Sequence, residues 1–344
     1  MKKEKMVYNI TCNTDDNYIQ HCMAMLCSLF ENNKDKHFHV YILTSSLSPE
    51  NIESLNNLFG KYKQDFFFPK INESLLDGVQ FRKNRPLSKA AYYRLLLSSV
   101  LDVDKVLYLD CDMIILGDIN ELYNVDLTNY SLAACIDPMP FNNEHRMQLN
   151  LSVGTKTFCS GIMLLNLKYW RDNNSEPLLL SFAKRKREPV YLHDQDVLNY
   201  IFQNSWFVLP PKWNRTPMAK GIYDIRYKYF DYYENYNNPM VYHYCSGVKP
   251  WDNVFSLKRK YYVKYLNLSG YSKIKFNKVT FKKRLNVYYQ CGIVYYLNNI
   301  LPYMPNIIVL ILNDLTKILR LFFLLLTFIF NKRNAKVAKY YFYK

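Results

Sequence analysis

The sequence predicts an α/β fold whose central sheet is mainly parallel. Short apolar runs of strand length alternate with amphipathic helical segments along the first 110 residues, the pattern of parallel sheets. Polar clusters also follow directly after the apolar runs, where such sheets bind ligands. At 344 residues, with 49% hydrophobic and 22% charged residues, the chain can bury a large core and is not a disordered protein.

The individual elements follow from periodicity and from their boundary residues. Strands are predicted over residues 6–11, 38–43, 66–68, 105–109, 132–136, 161–166 and 241–244. Helices are predicted over residues 18–31, 49–63 and 89–101, and Pro49 suits the first position of its helix. Only nine glycines are present and none forms a Gly-rich phosphate loop, which argues against the common nucleotide-binding loops.

The net charge of +16 is concentrated at the C-terminal end. Residues 252–344 contain 17 basic and 2 acidic residues, whereas residues 1–251 contain 28 basic and 27 acidic residues. We therefore predict a globular domain over residues 1–255 and a basic helical tail over residues 256–344.

The cysteines and the N-terminus predict a cytoplasmic protein. The eight cysteines form no CxxC pair and most lie in apolar runs, as expected of buried, reduced thiols. The start, MKKEK, is similar to the basic end of a signal peptide, but the apolar run after it is too short. We expect no signal peptide.

A carboxylate pair follows the predicted strand at residues 105–109. Asp110 and Asp112 are flanked by VLYL and MII, and carboxylates in so apolar a setting need a partner. A divalent cation is the favoured partner, since oxygen ligands suit Mg²⁺, Mn²⁺ or Ca²⁺ and an added imidazole favours Mn²⁺.

Six segments resemble the motifs of family 8 glycosyltransferases, which include glycogenin and bacterial lipopolysaccharide galactosyl- and glucosyltransferases. In chain order they are NTDDNY, SKAAYYRL, VLYLDCDMIILGDI, FCSGIMLLNLKYWR, HDQDVLN and HYCSGVKPW. They cover about residues 6–251. The resemblance implies a glycosyltransferase A-type fold with a Rossmann-like sheet and makes residues 1–255 a nucleotide-sugar-binding catalytic domain.

The resemblance also implies how the donor diphosphate is bound. Asp110, Asp112 and His243 are expected to bind Mn²⁺ (or Mg²⁺), and Lys249 is expected to place a second positive charge on the pyrophosphate. A metal acting as a Lewis acid removes the need for a protonating residue at the leaving group. Cys111 and Gly247 are expected to line the same donor site.

Other implied contacts concern the base and the sugar. Asp15 and Asn17 are expected to hydrogen-bond uracil, with Tyr18 stacked on it. The residues expected around the donor sugar are Arg94, Asp137, Asp194 and Gln195.

The implied reaction is retaining transfer of a hexose from UDP-glucose or UDP-galactose to a saccharide or glycolipid acceptor, in cell-surface polysaccharide or lipopolysaccharide synthesis. Gln195 is expected beneath the anomeric carbon, and an amide is a poor nucleophile. We therefore favour same-face attack, with the departing phosphate oxygen accepting the acceptor's proton.

Two departures from the family pattern affect these expectations. Cys159 stands where relatives often have an asparagine that contacts the donor sugar, which leaves the donor sugar open. Ser246 holds the usual glycine position, and Gly247 follows one place later. The spacing of six between His243 and Lys249 is kept.

The tail suggests a membrane surface and no nucleic-acid partner. Basic residues are mixed with tyrosines over 258–284, a composition that also suits nucleic acid. Residues 306–330, however, are mostly Leu, Ile and Phe with one polar stripe. Asp314, Lys317 and Arg320 would each cost about 2.5–3.5 kcal/mol at mid-bilayer. We favour an in-plane helix on the anionic inner face of the cytoplasmic membrane over a span or a soluble packing role.

Two other classes of protein fit part of the pattern. A haloacid dehalogenase-type phosphatase also has DxD at a strand end. In that fold, however, the pair lies early in the chain, and the segments HDQDVLN and HYCSGVKPW would not be needed. A non-catalytic nucleotide-sugar-binding protein at the membrane surface would fit Cys159 and the shifted glycine. The retained Asp110, Asp112, His243 and Lys249 argue against it.

Overall fold

The computed structural model describes residues 6–81, 89–137, 143–151, 155–185, 192–216, 238–245, 249–252, 256 and 258–276. The chain divides into two compact units, Met1–Met218 with Ile222–Cys291, and Ala219–Gly221 with Gly292–Lys344. Every described residue belongs to the first unit. Ser246, Gly247 and the predicted tail helix over residues 306–330 lie outside the described residues.

The first unit is built on a seven-stranded sheet in the order β3-β2-β1-β4-β7-β6-β8. All neighbouring pairs are parallel except those of β7, which runs antiparallel to β4 and β6. The strands are β1 Val7–Asn13, β2 His37–Leu43, β3 Asp65–Phe67, β4 Lys105–Leu109, β6 Leu132–Ile136, β7 Phe158–Asn166 and β8 Trp206–Leu209. The α/β class and the mainly parallel sheet are therefore confirmed.

A second, two-stranded sheet and a set of helices complete the unit. Strands β5 (Met113–Ile115) and β9 (Val241–His243) pair antiparallel. The α-helices within the described ranges are α1 Ile19–Glu31, α2 Pro49–Tyr62, α3 Leu97–Val100, α4 Asn120–Tyr123, α5 Asn143–Gln148, α6 Leu167–Asp172, α7 Ser175–Lys184, α8 Asp194–Ile201 and α9 Arg259–Leu268. None of these described helices is long and apolar enough to cross a membrane.

Helix α1 lies at the centre of one half of the core. All of residues 19–30 are buried, because the helix contacts α9, β5 and α2 around its circumference. A helix covered on several sides must be apolar on several sides, and the sequence IQHCMAMLCSLFE meets that need. Its N-terminal end follows the carboxyl end of β1, which brings the turn at residues 15–18 to the ligand-binding edge of the sheet.

Several elements differ from those predicted. The segment predicted as one helix over residues 89–101 is a 3₁₀ helix, Lys89–Leu96, followed by the single turn of α3. β7 begins three residues earlier than predicted, and β5 and β8 were not predicted. His243 ends a strand of the small antiparallel sheet and not a strand of the parallel sheet.

The predicted boundary after residue 255 is followed at once by structure that belongs to the first unit. Helix α9 packs against α1, and the hydroxyl of Tyr262 accepts a hydrogen bond from Gln20 Nε2 at 2.9 Å. The Lys275 N–H donates to Gln20 Oε1 at 2.6 Å. The folded body therefore extends to at least residue 276, which includes the first part of the predicted tail of residues 256–344.

Candidate active site

The reversed direction of β7 brings three segments to one edge of the sheet. The carboxyl ends of β4 and β6 flank the start of β7. The Asp110 N–H donates to the Gly161 carbonyl at 2.8 Å, and the Asp137 N–H donates to the Thr157 carbonyl at 2.8 Å. Asp110 and Asp137 therefore stand on either side of the segment that contains Ser160 and Gly161.

The small sheet brings His243 to the carboxylate pair. Met113 of β5 is paired in register with His243 of β9, and the Tyr244 N–H donates to the Asp112 carbonyl at 2.8 Å. One possible ligand atom each from Asp110, Asp112 and His243 lies within 4.8 Å of the other two. His243 Nε2 is 3.2 Å from Asp112 Oδ1.

These residues fit a divalent cation. Asp112 Oδ1 is buried but makes no aligned hydrogen bond, which leaves a lone pair for another partner. Gly161 keeps the space open, because a Cβ there would lie 2.5 Å from His243 Cε1 and 2.9 Å from Asp110 Oδ2. Two carboxylates and one imidazole suit Mn²⁺ or Mg²⁺ and related ions.

Asn214, a residue that sequence reasoning missed, orients His243. It is 2% exposed, and its Oδ1 is 2.9 Å from His243 Nδ1. This acceptor keeps a proton on Nδ1, so Nε2, on the side of Asp112, is the nitrogen that would bind a metal. No local signal marks Asn214, since its role depends on contact with a residue 29 positions away.

Positively charged side chains lie against both carboxylates of the pair. Lys249 Nζ donates to Asp112 Oδ2 at 2.5 Å, and Arg94 Nη2 donates to Asp110 Oδ1 at 2.9 Å. Burial favours the neutral form of Asp112, but Lys249 and His243 outweigh it and hold its pKa well below the usual range. Burial likewise opposes charge on His243, yet the Asp112 carboxylate raises the pKa of His243 well above its usual value.

Arg94 joins the carboxylate pair to the start of α8. Its side chain is buried over the ring of Tyr108, and its Nη1 donates to the Ser160 carbonyl at 2.8 Å. Its Nε is 3.2 Å from Asp194 Oδ2. Burial raises the pKa of Asp194 to about 6, with Arg94 opposing the shift and Asp110 adding to it.

Gln195 is held at both ends of its amide. Its Oε1 accepts from the Ser160 N–H at 3.0 Å, and its Nε2 donates to Asp137 Oδ2 at 2.5 Å. The structure thus brings Arg94, Asp137, Asp194 and Gln195 into one connected group beside Asp110.

The turn before α1 carries the residues expected at the base. Asp15 Oδ1 accepts from the N–H groups of Asn17 and Tyr18, both at 2.9 Å, so this carboxylate shapes the turn. Asn17 is exposed, and the 42% exposed ring of Tyr18 lies edge-on to Trp251 at 6.1 Å.

A stacked pair that was not predicted lies beside this turn. Trp251 stacks on His21 at 3.5 Å between ring centroids. Burial lowers the pKa of His21 to about 3, which keeps this ring neutral.

Two cysteines near the site face different surroundings. The Cys111 thiol is buried and donates to the Asn13 carbonyl at 3.0 Å, beside Cys12 and Cys22. Any contact of Cys111 with a donor would therefore use its main chain. Cys159 Sγ is 4.0 Å from His243 Nδ1, so this departure from the family pattern lies next to the candidate metal site.

The fold is that of glycosyltransferases of the A type. It resembles an active-site mutant of LgtC with a TM-score of 0.67, and the galactosyltransferase LgtC in complex with donor and acceptor sugar analogues with a TM-score of 0.62. Each is 22% identical in sequence, and each alignment covers 80% of this chain and 99% of LgtC.

The family follows from the sequence comparison. Residues 9–254 match Glycosyl transferase family 8, and the chain belongs to that family, whose members are retaining enzymes that typically use a divalent metal. The phosphatase alternative is therefore wrong.

Bacterial relatives differ in how much of their length this chain spans. The chain is 28% identical to General stress protein A of Bacillus subtilis over 286 residues, 79% of this chain and 96% of that protein. It is 28% identical to Lipopolysaccharide 1,2-glucosyltransferase of Escherichia coli over 291 residues, 81% and 84% of the two chains. It spans 58% of the glycosyltransferase GlyF of Streptococcus pneumoniae, at 27% identity over 73% of this chain.

Proposed function

We propose that this glycosyltransferase transfers glucose or galactose, with retention of configuration, from UDP-glucose or UDP-galactose to a saccharide or lipid-linked saccharide of the cell surface. The observation that carries the proposal is the convergence of Asp110, Asp112 and His243 beside Lys249. The relatives named for lipopolysaccharide glucosyl transfer and galactosyl transfer support the choice of sugar and of acceptor class.

The residues of the site divide the work of the reaction. Bound by Asp110, Asp112 and His243, Mn²⁺ or Mg²⁺ would supply Lewis acidity at the diphosphate leaving group. Lys249, now paired with Asp112 at 2.5 Å, is within reach of the same negative charge. Arg94 contacts Asp110, Ser160 and Asp194 and therefore holds the proposed sugar-binding residues in place.

Gln195 supports same-face attack. Its amide oxygen already accepts a hydrogen bond and its nitrogen already donates one, so it is a poor candidate for a covalent intermediate. In the proposed step the bond from the anomeric carbon to the phosphate oxygen breaks. The acceptor oxygen then bonds to the same face, and its proton passes to the departing phosphate oxygen.

The activity is tested by UDP release from UDP-glucose and UDP-galactose, with and without Mn²⁺. We expect metal-dependent release from one of the two donors and its loss in Asp112→Asn, which keeps the shape of the side chain but removes its charge. Asp172→Asn is the matched control, because Asp172 is an exposed carboxylate on α6 that pairs with Lys168 of the same helix. Full activity of Asp112→Asn would contradict the proposal.

The same assay separates the enzyme from a non-catalytic binder. A binder would bind UDP-sugar and show no UDP release with any acceptor. Competition by uridine, adenosine and guanosine diphosphates tests the base site around Asp15, Asn17 and Tyr18. We expect a clear preference for uridine, and equal competition would contradict the assignment of this turn to the base.

We also propose that the protein works at the inner face of the cytoplasmic membrane, held there by its basic tail. Lysine–lipid attraction is screened by salt, since the Debye length falls from about 10 Å at 0.1 M to about 3 Å at 1 M, whereas apolar burial is not screened. Deleting residues 306–344 should release the protein from membranes and keep turnover on a small soluble acceptor. Loss of donor hydrolysis, or retention on the membrane, would contradict this division of roles.

A further inference from the structure

Strands β2 and β3 carry a second group of metal-ligating side chains, remote in sequence from the DxD segment. His37 and His39 are two residues apart on β2 and so project from the same face of the sheet. Asp65 on β3 is paired in register with His39. The face is open, because the side chains of both histidines are about one-third exposed and that of Asp65 is 54% exposed.

The three side chains already point at a common position. His37 Nε2 is 2.9 Å and His39 Nε2 is 3.7 Å from the same oxygen, Asp65 Oδ2. In a tetrahedral zinc site with bonds of about 2.0–2.1 Å, neighbouring ligand atoms stand roughly 3.3 Å apart. The two observed distances bracket that value, and one possible ligand atom from each of the three residues lies within 4.8 Å of the other two. Small movements of these exposed side chains would therefore complete the site.

The neighbouring rings restrict the histidines. Phe67 lies edge-on to His39 at 5.4 Å between centroids and stacks on Tyr41 at 5.3 Å. The rings of His37 and His39 are themselves in edge contact at 5.4 Å. Rings packed in this way lose little rotamer freedom on binding a metal, which lowers the entropic cost of ligation.

The donor set selects a different metal from that of the active site. Two imidazoles and one carboxylate favour Zn²⁺ and neighbouring transition-metal ions, whereas the two carboxylates and single imidazole of the active site suit Mn²⁺ or Mg²⁺. We propose that His37, His39 and Asp65 form a surface site for a Zn²⁺-like ion. The ion would link β3, a three-residue strand at the edge of the sheet, to β2.

The test uses the full chain with the active-site carboxylate changed. In Asp112→Asn, titration with ZnCl₂ at neutral pH should show one equivalent of bound Zn²⁺, and adding His39→Gln should weaken that binding more than tenfold. Adding Asp172→Asn, the matched exposed control, should leave it unchanged. With Cu²⁺ as the probe, electron paramagnetic resonance should show two nitrogen ligands in the Asp112→Asn protein. It should show one nitrogen ligand when His39→Gln is added to that protein.

Metal-free melting shows whether each variant is folded, and Asp65→Asn serves as a second variant should His39→Gln not fold. Zn²⁺ should raise the melting temperature of Asp112→Asn and have no such effect once His39 or Asp65 is changed. Equal Zn²⁺ affinity with and without His39→Gln and Asp65→Asn would overturn the proposal. In that case Zn²⁺ would bind elsewhere, for example at the buried thiols of Cys12, Cys22 and Cys111. No Zn²⁺ binding at all would overturn it equally.

Discussion

The glycine at position 161 offers the sharpest test of the site, because its missing side chain makes room for two of the three proposed metal ligands. In Gly161→Ala the new Cβ would lie 2.5 Å from His243 Cε1, 2.9 Å from Asp110 Oδ2 and 3.0 Å from Met113 Cε. Carbon atoms in ordinary contact are about 3.5–4.0 Å apart, so His243 must retreat by about 1 Å.

That displacement has a predictable size of effect. A misplacement of about 1 Å at a reacting centre can cost about 100-fold in rate, and overpacking a filled site costs about 1–3 kcal/mol of stability. We therefore expect Gly161→Ala to lower Mn²⁺ affinity and to lower UDP release about 100-fold. It should also reduce the free energy of unfolding by about 1–3 kcal/mol.

The matched control is Gly60→Ala on α2. Apart from the neighbouring backbone of its own helix, no atom of the described residues lies within 4 Å of a Cβ at that position, and alanine favours a helix over glycine by up to about 1 kcal/mol. Activity should be unchanged and stability equal or higher. The assays are Mn²⁺ binding by electron paramagnetic resonance, UDP release and urea unfolding. A Gly161→Ala protein with native Mn²⁺ affinity and turnover would refute the reasoning.

Two further predictions concern the residues around the site. Asn214→Leu removes the acceptor that holds His243 Nδ1, so Mn²⁺ affinity measured by electron paramagnetic resonance should fall about 10–100-fold, and Asn214→Asp should bind more tightly than Asn214→Leu. If both variants bound Mn²⁺ like the native protein, His243 would not depend on Asn214. Burial raises the pKa of Asp194 to about 6, so its ionised form is disfavoured by folding and native stability should decrease as pH rises from about 4 to 6. At about 1.4 kcal/mol per pKa unit, Asp194→Asn should remove up to about 3 kcal/mol of this decrease in the free energy of unfolding. The measurement is urea unfolding across this pH range without added metal. An unchanged pH dependence would show that Asp194 does not titrate in this range.

Much of the fold followed from local pattern alone. The alternation of apolar runs and amphipathic segments indicated the α/β class, and β4 and β6 were predicted with the bounds that the structure shows. These elements could be predicted because hydrophobic periodicity and flanking residues are local properties of the sequence. The segment at residues 89–101 was harder to predict, because tertiary packing decides between 3₁₀ and α geometry over so short a stretch.

The composition of the site was also visible in the sequence. The strand-end pair of Asp110 and Asp112 indicated a metal, because buried carboxylates need a counter-charge. The family resemblance then predicted His243 and Lys249 at the same site, and Gln195 beside the donor sugar. The structure added what these residues contact, such as the two hydrogen bonds that hold the Gln195 amide.

Only the tertiary structure decided which distant residues meet. His243 reaches Asp112 through the pairing of β5 with β9, Asn214 orients His243, and Gly161 leaves the space between the ligands. The packing of α9 on α1 likewise extends the folded body past the residue where the charge pattern changes. Periodicity and composition report on a segment's own surface. Which distant segments come into contact depends on how the whole chain packs its core. A short stretch of sequence does not contain that information.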